Sequence, residues 1–462
     1  MFFIGRETEL VKLEKEFRSG HSFVVIYGRR RIGKTALIQE FIKSKRSLYF
    51  LATEENDQQG MLHFQEKLEM FCGRNIHSTH WIELFRIFAN EAESETKVLV
   101  IDEFQYLVQA NPAFASIFQK AWDEILSKAN VMVIICGSYI SMMTRMALSL
   151  RSPLYGRRTA QIRLAPLPFL EIREHFKHKP FSEVVEIYSV TGGVPKYLEF
   201  FDNERSLMEN VQETILSQNG YLYEEPNFLL NKEVKEPLNY FSIMKAIAQE
   251  KHKLSEIGAA LGAESSRLTP YLETLRELYL VEKRVPVTET NPEKSRKGLY
   301  FIRDLFIRFW FKFVFPNKGE LEIGNLRYVV EKLQRNFIDN HVSFVYEEVC
   351  REIFLHLCMS GRISFQPSLI GGYWNRTDEI DIVSIDREHK RLFAGECKYL
   401  KSDKPVGLEV YMNLLKKCET QDFAGYEICY GIFSKSGFSP ALREIAREDK
   451  RLLLINEQEL LQ

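Results

Sequence analysis

The segment Gly28-Arg29-Arg30-Arg31-Ile32-Gly33-Lys34-Thr35 constrains this chain more than any other stretch. An apolar run, Phe23-Val24-Val25-Ile26-Tyr27, precedes it and reads as a buried strand. Ala36-Leu37-Ile38-Gln39-Glu40-Phe41-Ile42 follows and reads as a helix. A strand, a loop bracketed by glycines, a Lys-Thr pair and a helix form the pattern of a phosphate-binding P-loop. The glycines let backbone N–H groups turn toward an anion, and the helix N-terminus adds the positive end of its dipole. Lys34 can reach β- and γ-phosphates, and the Thr35 hydroxyl can ligand Mg²⁺. The expected ligand is therefore ATP with Mg²⁺, held by Gly28, Arg29, Arg30, Arg31, Ile32, Gly33, Lys34, Thr35 and Ala36.

A chain of 462 residues is too long for one ordinary core and predicts several domains. With 45% hydrophobic and 27% charged residues it belongs to the soluble globular class. A formal net charge of -1 excludes nucleic-acid binding driven by the whole-chain balance, so any basic surface must be local. The seven cysteines are scattered with no CxxC pair, the usage of reduced thiols in a cytoplasmic protein. No apolar stretch approaches the ~18 residues of a membrane helix, and Arg6 and Glu7 come too early for a signal peptide. A cytoplasmic location with no membrane partner is expected.

Short apolar runs at 48–51, 98–101, 131–136 and 162–164 alternate with helical patterns. That alternation predicts an α/β fold with a parallel sheet covered by helices on both faces. Val98-Leu99-Val100-Ile101-Asp102-Glu103 carries a second chemical signal: two carboxylates emerge at the C-terminal end of a buried strand, where open parallel sheets bind ligands. Asp102 suits Mg²⁺, and Glu103 suits polarising the water that attacks the γ-phosphate. Gly137-Ser138 ends a third strand, and Ser138 reads equally as a contact to the γ-phosphate or its water and as a plain strand-end turn.

Phe3-Ile4-Gly5-Arg6-Glu7 resembles the opening signature of many AAA+ and STAND-type ATPases. Tyr155-Gly156-Arg157-Arg158 and Gly192-Gly193-Val194-Pro195-Lys196-Tyr197-Leu198 resemble later motifs of the archaeal and bacterial P-loop family often called "archaeal ATPase". The resemblance implies an ATP-hydrolysing enzyme with an ASCE-type sheet over 1–175 and a helical lid over 176–235. It implies that Arg6 and Glu7 lie near the adenine and that Pro195 lies against the base or ribose. It further implies Arg157 as the phosphate-facing arginine, with Arg158 as second choice, acting in cis or across the interface of a homo-oligomer. A solvated surface turn is the other reading of that arginine pair.

Residues 236–315 read as three short helices and a β-hairpin, a winged helix. Ser265, Ser266 and Arg267 would open the recognition helix, with Pro270 in its first turn. Lys283, Arg284, Lys294, Arg296 and Lys297 would decorate a wing facing phosphates of double-stranded DNA. A protein-packing role is the alternative.

Residues 316–462 read as a helix over 342–357, strands at 362–366, 379–385, 391–397, 427–433 and 452–455, and a helix over 408–418. Asp381 and the Gly395-Glu396-Cys397-Lys398 run can meet if their strands pair, because alternation puts Glu396 and Lys398 on one face. Asp381 and Glu396 would then share Mg²⁺ or Mn²⁺, with Lys398 holding or deprotonating the attacking water. The arrangement resembles the PD-(D/E)xK nuclease superfamily and the α/β, restriction-endonuclease-like domain of unknown function attached to such ATPases. That resemblance implies a further acidic ligand from the first helix, Glu347 or Glu348, with Glu347 the better positional match. The overall expectation is an ATPase that binds DNA and carries a metal-dependent nuclease. The alternative is an ATP-dependent switch or DNA-binding regulator with an inactive nuclease fold acting through a protein partner.

Overall fold

The computed structural model describes residues 3–91, 96–150 and 152–456. The outer ends of the first and last predicted domains, 1–2 and 457–462, lie outside these residues. The chain divides into two compact units. The first contains Met1–Leu167 with Val194–Glu199 and Leu229–Lys235; the second contains Pro168–Gly193, Phe200–Phe228 and Glu236–Gln462. The predicted lid, 176–235, is thus shared between the two units.

In the first unit, β1 (His21–Tyr27), β2 (Ser47–Leu51), β3 (Lys97–Asp102), β4 (Val131–Gly137) and β5 (Ala160–Arg163) form one sheet in the order β2-β3-β4-β1-β5. Every pairing is parallel. The apolar runs are continuous rather than alternating because both faces are covered. Phe23, Val25, Leu99, Ile101, Val133 and Ile135 face helices Asp57–Cys72, Trp81–Asn90 and Phe114–Glu124. Val24, Ile26, Val98, Val100, Met132 and Ile134 face Leu13, Leu37 and Phe41 on helices Glu7–Arg18 and Lys34–Ile42. The consequence for function lies in the strand order. β3, β4 and β1 are neighbours, so Asp102, Gly137 and Tyr27 all end at the same edge of the sheet.

In the second unit, helices Pro237–Ala248, Leu254–Leu261 and Ser265–Glu277 precede an antiparallel pair, β6 (Val281–Arg284) and β7 (Leu299–Ile302). Pro270 sits inside the third helix, not in its first turn, because that helix already begins at Ser265. Its exposed position lets water replace the hydrogen bond that proline cannot donate. The connection between β6 and β7 is tied back to the protein at two points. Val287 N–H donates to the Gly372 carbonyl at 3.0 Å and Trp374 Nε1 donates to the Lys297 carbonyl at 3.3 Å. Three of the cations expected on a wing are also spent internally, Lys297 on Glu289 at 2.7 Å among them. Arg284 lies between Glu282 and Glu348 and over the rings of Phe301 and Phe344, and Lys283 Nζ donates to the carbonyls of Glu293 and Ser295.

The remaining strands are β8 (Leu369–Trp374), β9 (Glu379–Asp386), β10 (Arg391–Lys398), β11 (Glu427–Ser434) and β12 (Leu452–Ile455). They lie in the order β12-β11-β10-β9-β8, parallel from β10 to β12 and antiparallel from β10 to β8. The strand expected at 362–366 is irregular backbone, and the first strand starts only after Pro367. Phe365 is instead buried beside Phe354 and Phe393. Phe393 in turn fills the space over Gly431, where a Cβ would lie 2.3 Å from its Cζ. Among the described residues, no helix is long and apolar enough to cross a membrane.

Phe118 meets Phe23, Phe85 and Phe104 at ring-centroid distances of 5.5, 5.7 and 5.6 Å. Phe118→Ala should destabilise the first unit by about 3–5 kcal/mol, read as a lower urea midpoint for its unfolding transition.

Candidate functional site

The loop after β1 is shaped by close backbone approach. Gly28 has φ 155, and a Cβ there would lie 2.4 Å from the Leu164 carbonyl oxygen. Gly33 takes the left-handed position, φ 87, immediately before helix Lys34–Ile42. Lys34 is buried and its Nζ donates to the carbonyls of Gly28 and Arg29, each at 2.9 Å. Burial lowers its pKa, against the raising influence of Cys136, Glu103 and Asp102. Arg30 is exposed and Ile32 buried on the loop, while Thr35 is exposed and Ala36 half-buried in the first turn of the helix.

Thr35 Oγ1 donates to Asp102 Oδ2 at 2.9 Å, and Tyr49 OH donates to the same oxygen at 2.7 Å. Glu103 N–H donates to Asp102 Oδ1 at 2.9 Å. This set of hydroxyl and carboxylate oxygens fits a hard divalent cation such as Mg²⁺. Glu103 has φ 54, a left-handed conformation that costs a non-glycine residue energy. Its carboxylate is held by Ser138, with Oγ donating to Oε1 at 2.7 Å and N–H donating to Oε2 at 3.2 Å, and by Gln105 Nε2. Ser138 is therefore more than a strand-end turn.

Arg6 is buried, and its Nη2 donates to the carbonyls of Ile32 and Ala165 at 3.0 and 2.7 Å. It braces the P-loop, whereas Glu7 is exposed in the first turn of the adjoining helix. Pro195 opens the helix Pro195–Glu199 over this loop: its Cγ lies 3.7 Å from where a Gly33 Cβ would be, and Lys196 N–H donates to the Arg31 carbonyl. Arg29 Nη2 meets Tyr197 OH at 3.3 Å. Arg157, expected to face phosphate, instead makes a bidentate pair with Asp123, with Nε 2.8 Å from Oδ1 and Nη2 2.9 Å from Oδ2. Arg158 donates to the Ala147 carbonyl.

A family described as "ATPase domain predominantly from Archaea" matches residues 3–201. A second, described as "Archaea bacterial proteins of unknown function", matches residues 310–408. The chain is 34% identical over 434 residues to "Uncharacterized protein MJECL04" of Methanocaldococcus jannaschii, covering 94% of this chain and 95% of that protein. The chain belongs to this archaeal ATPase family. It is a P-loop ATPase. Over 47 residues it is also 38% identical to "Uncharacterized ATP-binding protein MJ0423" of the same organism, covering 10% of this chain and 80% of that one. A Walker-type ATPase of Pyrococcus abyssi shares the fold, with a TM-score of 0.51 at 19% identity, covering 67% of this chain and 96% of that structure.

The second cluster of this ATPase lies on β9 and β10. Gly395 pairs with Ile382, so the next antiparallel step sets Asp381 beside Glu396. Asp381 Oδ2 accepts from Cys397 N–H at 2.7 Å. Glu396 is buried and accepts from Lys398 Nζ at 2.8 Å and from Lys417 Nζ, on helix Leu408–Lys417, at 2.6 Å. Burial and the neighbouring Glu396 push the Asp381 carboxyl up to about 6. Burial and Asp381 push Glu347 up to about 8. Of the two helix carboxylates, Glu347 is thus the one that feels Asp381, while Glu348 is bonded to Arg284. The expected trio Glu347, Asp381 and Glu396 is not gathered into a ligand set: among the described residues, no three His, Cys, Asp or Glu side chains are so arranged. The reason is visible at Glu396, where lysine ammonium groups engage both oxygens.

Sequence reasoning missed Tyr49, Gln105, Lys417 and Glu233. The register of β2 against β3 is what reveals Tyr49, since it pairs with Val100 two residues before Asp102 and alternation points both side chains to one face. Tyr49→Phe should loosen Asp102 while keeping the packing of β2. The Mg²⁺ concentration that half-saturates ATP hydrolysis should then rise by about tenfold, measured at fixed saturating ATP.

Proposed function

We propose that this ATPase works on double-stranded DNA, binding it through a winged helix and cutting it with the cluster on β9 and β10. In the ATP site, Mg²⁺ held at Thr35 and Asp102 would neutralise charge developing on the transferred phosphoryl group. Lys34 gives its ammonium group to the β- and γ-phosphates. Glu103 accepts a hydrogen bond from the attacking water and so turns the water's lone pair toward phosphorus. Ser138 and Gln105 fix the direction of the Glu103 carboxylate. Arg6 braces the loop from behind, and Pro195 closes against the base or ribose. Arg157 is paired with Asp123 within the chain, so its action on nucleotide, in cis or across a homo-oligomeric interface, requires that pair to open.

The observation that carries the nuclease reading is the meeting of Asp381 and Glu396 on adjacent strands, with Lys398 on the same face and Glu347 close enough to be shifted by Asp381. Two buried carboxylates side by side repel, and a divalent cation with all-oxygen ligands relieves that repulsion. Mg²⁺ or Mn²⁺ there would stabilise charge on the phosphodiester under attack. Lys398, an ammonium group beside Glu396, then orients the water, and would deprotonate it only after giving up its own proton. Support for DNA binding comes from Ser266 and Arg267, exposed at the start of helix Ser265–Glu277, and from Lys294 and Arg296, exposed on the β6–β7 connection. A second reading is favoured by the two lysines on Glu396: an ATP switch or DNA-binding regulator whose nuclease fold does not cut and which acts through a protein partner.

Lys34→Ala should abolish ATP-dependent thermal stabilisation, which at a hundredfold excess over Kd amounts to about 2.7 kcal/mol in the wild type. A full thermal shift in that variant counts against the ATP-site assignment. Plasmid DNA incubated with Mg²⁺ or Mn²⁺, with and without ATP, should be cut by the wild type but not by Asp381→Ala or Lys398→Ala. Calorimetry should show the cation still bound by Lys398→Ala. Cutting that survives Asp381→Ala contradicts the nuclease reading. No cutting and no cation binding decide for the switch.

A further inference from the structure

One carboxylate that faces the ATP-site machinery is supplied from far along the sequence. β4 delivers Ser138 to Glu103, and the chain then turns into a short helix, Ile140–Met143. Glu233 meets the start of that turn: Ile140 N–H donates to its Oε1 at 3.4 Å and Ser141 Oγ donates to its Oε2 at 3.3 Å. The contact spans 93 residues of sequence. Glu233 ends the helix Glu225–Glu233, and the stretch around it, Leu229–Lys235, belongs to the first compact unit although the chain on both sides belongs to the second. Leu230 anchors this stretch, fully buried. Burial pushes the Glu233 carboxyl up to about 7, and the charge of Lys34 acts on it in the opposite sense. The same short stretch leads directly into the helix that starts at Pro237.

We infer that Glu233 is a positioning residue for ATP hydrolysis: by holding the 139–141 turn it fixes Ser138, and through Ser138 it fixes Glu103. The inference rests on the reading of Glu103 as the group that directs the attacking water. A carboxylate is suited to this task because its two oxygens hold two adjacent donors at once. Loss of the clamp lets the turn relax, and Glu103, already in a left-handed backbone conformation, loses the hydroxyl that aims it.

The test is a double-mutant cycle between Glu233→Ala and Ser138→Ala, with ATP turnover measured at saturating Mg²⁺. Glu233→Ala should lower kcat by about tenfold, the equivalent of one lost hydrogen bond to a charged group, with KM for ATP within about twofold of wild type. Glu233→Gln, which keeps an acceptor for Ile140 N–H, should recover most of the rate. The double variant should be no slower than Ser138→Ala alone, since both act through one hydroxyl. Additive losses, or a change confined to KM, overturn the inference. If Glu233→Ala does not fold, Ser141→Ala removes one contact from the other side and enters the same cycle. Glu103→Gln assayed in parallel separates the two readings. Normal turnover by Glu103→Gln means the ATP-site reading has failed; slow turnover by Glu103→Gln with full kcat in Glu233→Ala means the inference about Glu233 alone has failed.

Discussion

The parallel pairing of β3, β4 and β1 is the constraint on which the nucleotide site depends. It sets three strand ends side by side, and each end contributes one part: the P-loop after Tyr27, the Asp102–Glu103 pair, and Ser138. The pairing is enforced by burial on both faces, since each of these strands sends alternate residues into two separate cores. A one-residue slip would exchange those faces and pull Asp102 away from Thr35. The chemistry is therefore set by the same apolar contacts that hold the sheet, and the strained backbone at Glu103 persists because its surroundings over-determine it.

Both charged clusters use lysine as an internal counter-charge. Lys34 lies on two P-loop carbonyls, and Lys398 and Lys417 lie on Glu396. In each case a buried charge is compensated by several hydrogen bonds, as burial demands. The two sites differ in balance. The first brings a buried cation to a loop of backbone donors suited to an anion. The second brings three acidic groups near two lysines; burial and mutual repulsion hold its acidic members Asp381 and Glu347 well above their ordinary range, while Lys398 and Lys417 pull the Asp381 carboxyl down.

Much of this was legible in the sequence, and what was not has physical reasons. The P-loop, the acidic pair after β3 and the Glu396–Lys398 face depend on local spacing, which one chain displays directly. Tyr49, Lys417 and Glu233 reach their partners through register or through contacts between distant segments, which spacing does not encode. The strand misread at 362–366 is a run whose Phe365 is buried in a side-chain cluster rather than paired in the sheet. Arg284 looked like a phosphate ligand because it is basic and lies on a hairpin, yet two glutamates and two aromatic rings enclose it. Arg157 likewise reads as basic and glycine-flanked, and only the fold reveals Asp123 opposite it.

The most direct measurement is a crystal structure of the full chain with a non-hydrolysable ATP analogue and Mg²⁺. The account predicts that Lys34 Nζ leaves the carbonyls of Gly28 and Arg29 for the β- and γ-phosphate oxygens, that Mg²⁺ sits between the Thr35 hydroxyl and Asp102, and that a water lies between Glu103 and the γ-phosphate. A nucleotide bound with Lys34 still on those carbonyls, or bound away from the ends of β1, β3 and β4, would contradict it.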